Sequence, residues 1–478
     1  MLYYNKEDLK LILNNISVLL SASAYVFLIP IIFVFIYKEP TYYLFLYVLL
    51  ALIVRTVAKL LKFKTEISVE RRHAVVTIIL FWIIFSLFAS IPFIVLENCS
   101  FIDGFFESVS ALTSTGYSMF ASQSSLMYST LFWRAFLEWL SGIGIVVLAI
   151  LGLFLTYSKF KLFAESEGHT EKLKSSVKKT VAIFVAIYVF ISIVGIILLR
   201  ISGMPFFDSM YYTFTSISST GSDMTDTGLL GYNSIWVLVI IMFLMIFGAM
   251  SFITHYRVYD KKSLLEYFRD KSFVFYIIMA IFLFFIVMLQ FSKLVPLHTL
   301  FYIVSSSTGG LSLFNYGIHQ AFPDFFKGIL IFLMFVGAST ASPGGGIKLQ
   351  RFIIFLKIVW WKTKEMILPE KAVFRKQFNG ENIDTKIMLE VLGFILMYVL
   401  FILLGTFVFI ALGYNALDSL FEVTSAQGNI GIPVGVISVA TPIIGKIMLI
   451  INMLVGRLEI IPILVLFGFL FNIRLWRR

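Results

Sequence analysis

Four polar stretches, each rich in hydroxyl side chains and each closing on a glycine, are the parts of this 478-residue chain best suited to chemistry. They run from Asp103 to Gly116, Asp208 to Gly221, Pro296 to Gly309 and Asp418 to Gly431, thirteen positions from leading residue to glycine each time. Glycine takes backbone angles closed to other residues, so successive carbonyls beside it can turn toward one axis. Carbonyl oxygens gathered on an axis replace the hydration shell of an alkali cation. A fourfold repeat of a short helix and a glycine is what one chain needs to line a cation pore. Spacing chooses the glycine within each copy. Glu107 to Gly116 matches Glu422 to Gly431, which favours Gly431 over Gly428, and the run Ser306-Ser-Thr-Gly favours Gly309 over Gly310.

The elements that must position these stretches follow from composition. With 59% hydrophobic and 14% charged residues and a mean hydropathy of +0.94, the chain reads as a polytopic membrane protein. A soluble domain carries about a quarter charged residues. About twenty apolar residues cross a bilayer as a helix. That criterion predicts ten spans, near 9–36, 41–62, 74–96, 129–156, 178–200, 232–255, 271–292, 325–360 (interrupted), 386–412 and 444–472. The first is predicted to be an uncleaved helix, being too long for a signal-peptide core. The fold class expected is all-α: a two-helix prefix, 1–70, followed by four span, pore-helix, span repeats at 71–165, 166–268, 269–376 and 377–478 around a pseudo-fourfold pore. Each polar stretch supplies about ten helical residues, roughly 15 Å, half of a hydrocarbon core. Asp103, Asp208 and Asp418 suit helix starts, where an oxygen caps free N–H groups. The third copy has Pro296 there instead.

The net charge of +11 is distributed as a topology signal rather than as a nucleic-acid surface. Basic residues gather at 55–72, at Lys159, Lys161, Lys172, Lys174, Lys178 and Lys179, at 257–271, at 348–376 including Lys371, and at Arg474, Arg477 and Arg478. Each cluster lies at or after the end of an even-numbered span, and the opposite connections are poor in Lys and Arg. That asymmetry predicts both termini in the cytoplasm. The single cysteine, Cys99, excludes a disulfide or thiolate metal site within the chain. His73, His169, His255, His298 and His319 show no ligand spacing, and no nucleophile arrangement is visible. An enzyme is not expected.

Certain stretches resemble the Trk/Ktr potassium uptake proteins, most closely the TrkH type. They are Thr113-Ser-Thr-Gly-Tyr-Ser118, Arg134 to Ile145, Phe207 to Gly221, Gly248 to His255, Gly337-Ala-Ser-Thr-Ala-Ser-Pro-Gly-Gly-Gly-Ile-Lys348 and Gly456-Arg-Leu-Glu459. The resemblance runs from about residue 70 to the C-terminus, and the two-helix prefix also fits that type. It implies potassium as the transported ion and a filter at Thr115, Gly116, Thr220, Gly221, Thr308, Gly309, Ile430 and Gly431. It also implies a homodimer in the lipid of the cytoplasmic membrane and a cytosolic TrkA-like or KtrA-like nucleotide-binding ring as partner. No nucleotide site is expected on this chain. Plant relatives that favour sodium carry serine at the first filter position. Four glycines here favour potassium, with a sodium-permeant or Na+/H+-coupled transporter of the same superfamily as the alternative.

Two motifs keep two readings each. Gly337, Ala338, Ser339, Thr340, Pro343, Gly344, Gly345 and Gly346 interrupt the eighth span, as either a kink or, by the resemblance, a mobile gate below the filter. Arg457 lies inside the last span, where an arginine costs roughly 2.5–3.5 kcal/mol at the helix centre. It is either a structural arginine neutralised by a buried carboxylate or carbonyl, or, by the resemblance, an electrostatic barrier in the path. Glu459 is too close to share its face. Glu107 and Glu422 either concentrate cations at the mouth or cap their helices, and Arg134 with Glu138 reads as an interfacial ion pair.

Overall fold

The computed structural model describes residues 4–65, 67, 69–150, 177–291, 294–314, 322–369, 374–378 and 381–472. The expected boundary at 165/166 lies outside them. So do Lys159, Lys161, Lys172, Lys174, Lys371, Arg474, Arg477, Arg478, His169 and His319. Apart from a two-stranded hairpin, Gln377–Phe378 with Glu381–Asn382, the described chain is built from helices and their connections.

The prefix comprises α1 (Lys6–Ser23), α2 (Ile31–Ile36) and α3 (Thr41–Leu60). Asn5 starts α1 with a reciprocal cap, its side chain accepting from Asp8 N and its own N–H donating to Asp8, both at 2.8 Å. Four groups follow, each placing a short helix between two others, which are longer except in the third group, where the second and third helices are both 13 residues. The first is α4 (Arg71–Leu96), α5 (Phe101–Leu112) and α6 (Tyr128–Ile150). The second is α7 (Val177–Ile201), α8 (Phe206–Ile217) and α9 (Ile235–Ala249), trailed by α10 (Phe252–Lys261) and α11 (Leu265–Arg269). The third is α12 (Lys271–Gln290), α13 (Pro296–Thr308) and α14 (Asp324–Val336), with α15 (Leu349–Ile367) beyond a break. The fourth is α16 (Thr385–Ala411), α17 (Ala416–Gln427) and α18 (Ile443–Leu458), with α19 (Ile460–Asn472) beyond another.

Packing closes these groups into a cycle. Each short helix lies against its own two long helices and against the second long helix of the preceding group: α5 on α18, α8 on α6, α13 on α9 and α17 on α14. We call the groups quarters one to four. Hydroxyl-rich helices tolerate this burial because their side chains return to nearby carbonyls. Thr113 Oγ1 donates to Val109 O at 2.7 Å and Ser108 Oγ to Ser86 O at 2.8 Å. Two helix-end carbonyls are also satisfied, Leu112 O by Trp82 Nε1 at 3.0 Å and Gln427 O by the Tyr398 hydroxyl at 2.9 Å.

Among the described residues, six helices are long and apolar enough to span a membrane, or eight if two bent pairs each count as one, and the expected span at 129–156 runs past residue 150, beyond those residues. Other expectations need correction. Two spans expected to run straight are broken, by 97° between α9 and α10 and by 113° between α18 and α19. The second break falls at Glu459, whose φ of +63° no helix allows. The aspartates are not the caps. Ser100 and Asn415 take that role, while Asp103, Asp208 and Asp418 stand in the first turn behind them or behind Pro205.

Candidate functional site

The four glycine turns meet in one ring. A methyl group added at Gly116 would collide with Thr220 O, at Gly221 with Gly309 O, at Gly310 with Ile430 O, and at Gly431 with Thr115 O. Each glycine thus faces the carbonyl of the residue before the next quarter's glycine, and the fourth returns to the first. All four glycines have left-handed φ, +88°, +75°, +68° and +85° in that order. A side chain is excluded twice over, by backbone angle and by space.

In the third quarter the ring glycine is Gly310, not Gly309. Gly309 has φ −139° and looks into the side chain of Met245. In three quarters the register is marked by a serine that donates to the carbonyl just past the ring glycine: Ser110 to Tyr117 O (2.8 Å), Ser305 to Leu311 O (2.6 Å) and Ser425 to Ile432 O (3.1 Å). The other quarters place a left-handed residue, Ser114, Ser219 or Asn429, two positions before the glycine. Quarter three lacks it, its helix runs on to Thr308, and the connection is one residue shorter. Pro296 opens its helix, whereas Asp103, Asp208 and Asp418 are third in theirs, so a count of thirteen from Pro296 starts two residues early and, despite the shorter connection, stops one residue early. Gly309 still belongs to the ring through its carbonyl, level with Thr115, Thr220 and Ile430, while Thr308 falls back into the helix.

Gly337 to Lys348 is more than a kink. The chain leaves α14 at Gly337 (φ +69°), folds on itself through Ala338 N to Gly345 O (3.2 Å), and re-enters a helix at Leu349, whose N–H reaches Ala338 O at 3.0 Å. Ser339 N donates to Ala249 O at 3.1 Å, and Thr340 is held by Gln350 Oε1. Pro343 to Gly346 lies against the ends of two short helices. The Cβ of Ser219 is 3.8 Å from the Cβ position of Gly344, and a methyl at Gly345 would strike Gly428 O. Lys348 donates to Gly344 O from above the bend.

Arg457 closes this assembly. It is 4% exposed, and its two terminal nitrogens donate to Pro343 O and Ser141 O, carbonyls rather than a carboxylate. Ser141 in turn shares a hydroxyl contact with Ser114, one residue before Thr115. A single line of contacts therefore connects the 337–348 loop to the ring. Glu459, as expected, looks elsewhere and pairs with Arg351 at 2.9 Å.

A family model described as cation transport protein, TrkH, matches residues 43–473. The chain belongs to the TrkH family. This TrkH-family chain is 34% identical to an uncharacterized cation transporter of Methanocaldococcus jannaschii over 98% of its own length and 97% of the relative's. It is 28% identical to the Trk system potassium uptake protein TrkH of Salmonella typhimurium, covering 84% of this chain and 86% of that one. Its fold matches the crystal structure of the potassium transporter TrkH from Vibrio parahaemolyticus with a TM-score of 0.85. That match spans 96% of this chain and 98% of the other at 24% identity.

The sequence reading misplaced three charged residues of this TrkH-family protein. Glu107 and Glu422 neither face the mouth nor cap their helices; both are buried behind the ring. Arg134 is not interfacial either. It is 1% exposed, with Nε 3.7 Å from Glu138 and 3.6 Å from Glu107, and it donates to Gly116 O at 3.4 Å. An arginine and glutamate at i, i+4 inside an apolar span was the available signal, because such residues face the interior of a bundle. Lys327 and Lys446 were missed entirely.

Proposed function

We propose that this TrkH-family protein conducts potassium across the cytoplasmic membrane through the ring formed at Gly116, Gly221, Gly310 and Gly431. The observation carrying this reading is the closed cycle in which each ring glycine meets the next quarter's carbonyl. The carbonyls of Thr115, Thr220, Gly309 and Ile430 would hold the dehydrated ion, and the ends of four short helices would add their negative dipoles. Ions pass in single file along the axis of a pseudo-fourfold pore. Residues 337–348 form the gate beneath it, and Arg457 holds that gate closed through Pro343 O. The charge asymmetry of the connections supports cytoplasmic termini and a ring on the outer side. Large apolar side chains on the long helices, such as Phe285 (58% exposed) and Leu289 (86%), fit a lipid surrounding.

The relatives named potassium uptake proteins support potassium as the substrate, and four ring glycines support it over sodium. A homodimer, regulated by a cytosolic ring that binds the nucleotide in place of this chain, completes the proposal. Gly116→Ser and Gly431→Ser, each in liposomes with rubidium and sodium flux measured in parallel, test the filter. The expected result is a loss of rubidium preference, and an unchanged preference at an unchanged rate would refute it. Deleting residues within 338–345 is expected to raise rubidium flux, whereas a folded but equally slow protein would argue against the gate.

A further inference from the structure

One register position on the four short helices carries Glu107, Tyr212, Tyr302 and Glu422. Three of these stand nine residues before their ring glycine and Tyr302 stands eight before Gly310, the same one-residue shortening noted above. All four are at most 1% exposed. Three reach the backbone that leaves the ring, on the far side of the glycine, and Tyr212 reaches it through the Asp223 side chain. Glu107 Oε1 accepts from Ser118 Oγ at 2.6 Å and from Met119 N. Glu422 Oε1 accepts from Val434 N at 2.9 Å and Val436 N at 3.1 Å. The Tyr302 hydroxyl accepts from Leu313 N at 3.1 Å. Tyr212 donates to Asp223 Oδ1, which accepts from Met224 N at 2.8 Å.

The carboxylate members do more than their phenol counterparts. Each carboxyl offers two oxygens and so accepts from more donors than one hydroxyl does, as Glu422 does from Tyr117, Val434 N and Val436 N. Both acids also join neighbouring quarters. Tyr117, the residue after Gly116, donates its hydroxyl to Glu422 Oε2 at 2.6 Å. Arg134, set between Glu107 and Glu138, reaches Gly116 O in its own quarter and Asp223 O in the second, both at 3.4 Å. Ser222, the residue after Gly221, donates to Glu138 Oε2 at 2.9 Å. Carboxyl groups therefore hold the exit strands of quarters one, two and four, with Tyr212 acting through Asp223 in quarter two, whereas the Tyr302 phenol holds that of quarter three.

We infer that these four side chains act as one brace fixing the width of the carbonyl ring, with Glu107 and Glu422 as positioning residues for ion selectivity. The inference rests on the filter reading above and extends it to groups that touch no ion. Whether discrimination comes from cavity size or from the field of the carbonyl dipoles, it depends on where the oxygens are held. Shortening the brace lets the ring relax, so sodium gains more than rubidium loses.

The test is the rubidium-to-sodium flux ratio of the full-length protein in liposomes, with gel filtration to check folding. Glu422→Ala is expected to lower the ratio by about tenfold, the scale of leaving the buried Val434 N and Val436 N without an acceptor. Glu422→Gln, which keeps an oxygen for Val434 N and Val436 N, is expected to restore the ratio to within about threefold of the parent. If Glu422→Ala does not fold, Tyr302→Phe carries the test alone. It removes one oxygen without changing shape, and a drop of about twofold to threefold is expected. A folded Glu422→Ala, or a Tyr302→Phe, with the parental ratio overturns the inference. Gly431→Ser in the same assay separates the two proposals. If it too leaves the ratio unchanged, the filter reading fails; if it abolishes the ratio while the brace variants do not, only the brace fails.

Discussion

The fourth quarter and the second occupy equivalent places in the cycle but are fastened by different chemistry. Lys446, in the first turn of α18, meets Asp103 of quarter one at 2.5 Å, and Lys327, in the first turn of α14, meets Asp418 of quarter four at 2.7 Å. Both seams of quarter four thus carry a largely buried ion pair. The fourth residues of α6 and α9, where those lysines would stand, are Leu131 and Leu238. Asp208 of quarter two instead accepts from Tyr232 of its own quarter at 2.6 Å. The seam between quarters one and two is tied through loops, by Asp226 accepting from Ser122 Oγ at 2.6 Å and Gln123 N at 2.8 Å. One register position can therefore serve as a charge lock or as a plain packing contact. The quarter that supplies Arg457 is the one locked on both sides.

This contrast can be broken in order of size. Lys446→Met is expected to cost about 3–5 kcal/mol of thermal stability in detergent, because Asp103 is left buried without its partner. Adding Asp103→Asn should recover most of that loss; failure to recover would show that the lysine acts through packing. Lys327→Met is expected to cost less, about 1–3 kcal/mol, since the Asp418 side chain is 21% exposed and can draw on water. Equal losses at the two seams would contradict the assignment of unequal burial. Asp226→Asn should be the mildest, below about 1 kcal/mol, because the asparagine keeps an acceptor oxygen in a solvent-accessible loop. A large loss there would mean that quarter two depends on its loops as heavily as quarter four depends on charge.

Much of this organisation is legible in the sequence because it is written in short-range pattern. Hydroxyl-rich runs ending on glycine mark the short helices, and the Pro343 and glycine cluster marks a stretch no straight helix would contain. What stays hidden is either a shift of one residue or a contact across quarters. Equal spacing from Pro296 favours Gly309, because a residue count does not show that Pro296 stands two positions nearer the helix start than the aspartates or that quarter three drops a left-handed position. Arg134 reaches Glu107 and Gly116 only after α6 folds back beside α5. Lys446 and Asp103 are 343 positions apart. The break at Glu459 has no proline or glycine at its own position to announce it, although Gly456 and Pro462 stand close by.

The central claim is that the carbonyl ring closes on Gly310 rather than on its neighbour, and the direct measurement is rubidium flux through Gly309→Ala and Gly310→Ala side by side. Gly310→Ala forces a side chain into a left-handed position against Ile430 O, and the account predicts that flux falls by at least about tenfold. Gly309→Ala keeps a negative φ and meets the Met245 side chain from Cβ to Sδ rather than backbone, and a smaller fall in flux than in Gly310→Ala is predicted. The reverse order, with Gly309→Ala the more damaging, would contradict the register and the ring built on it.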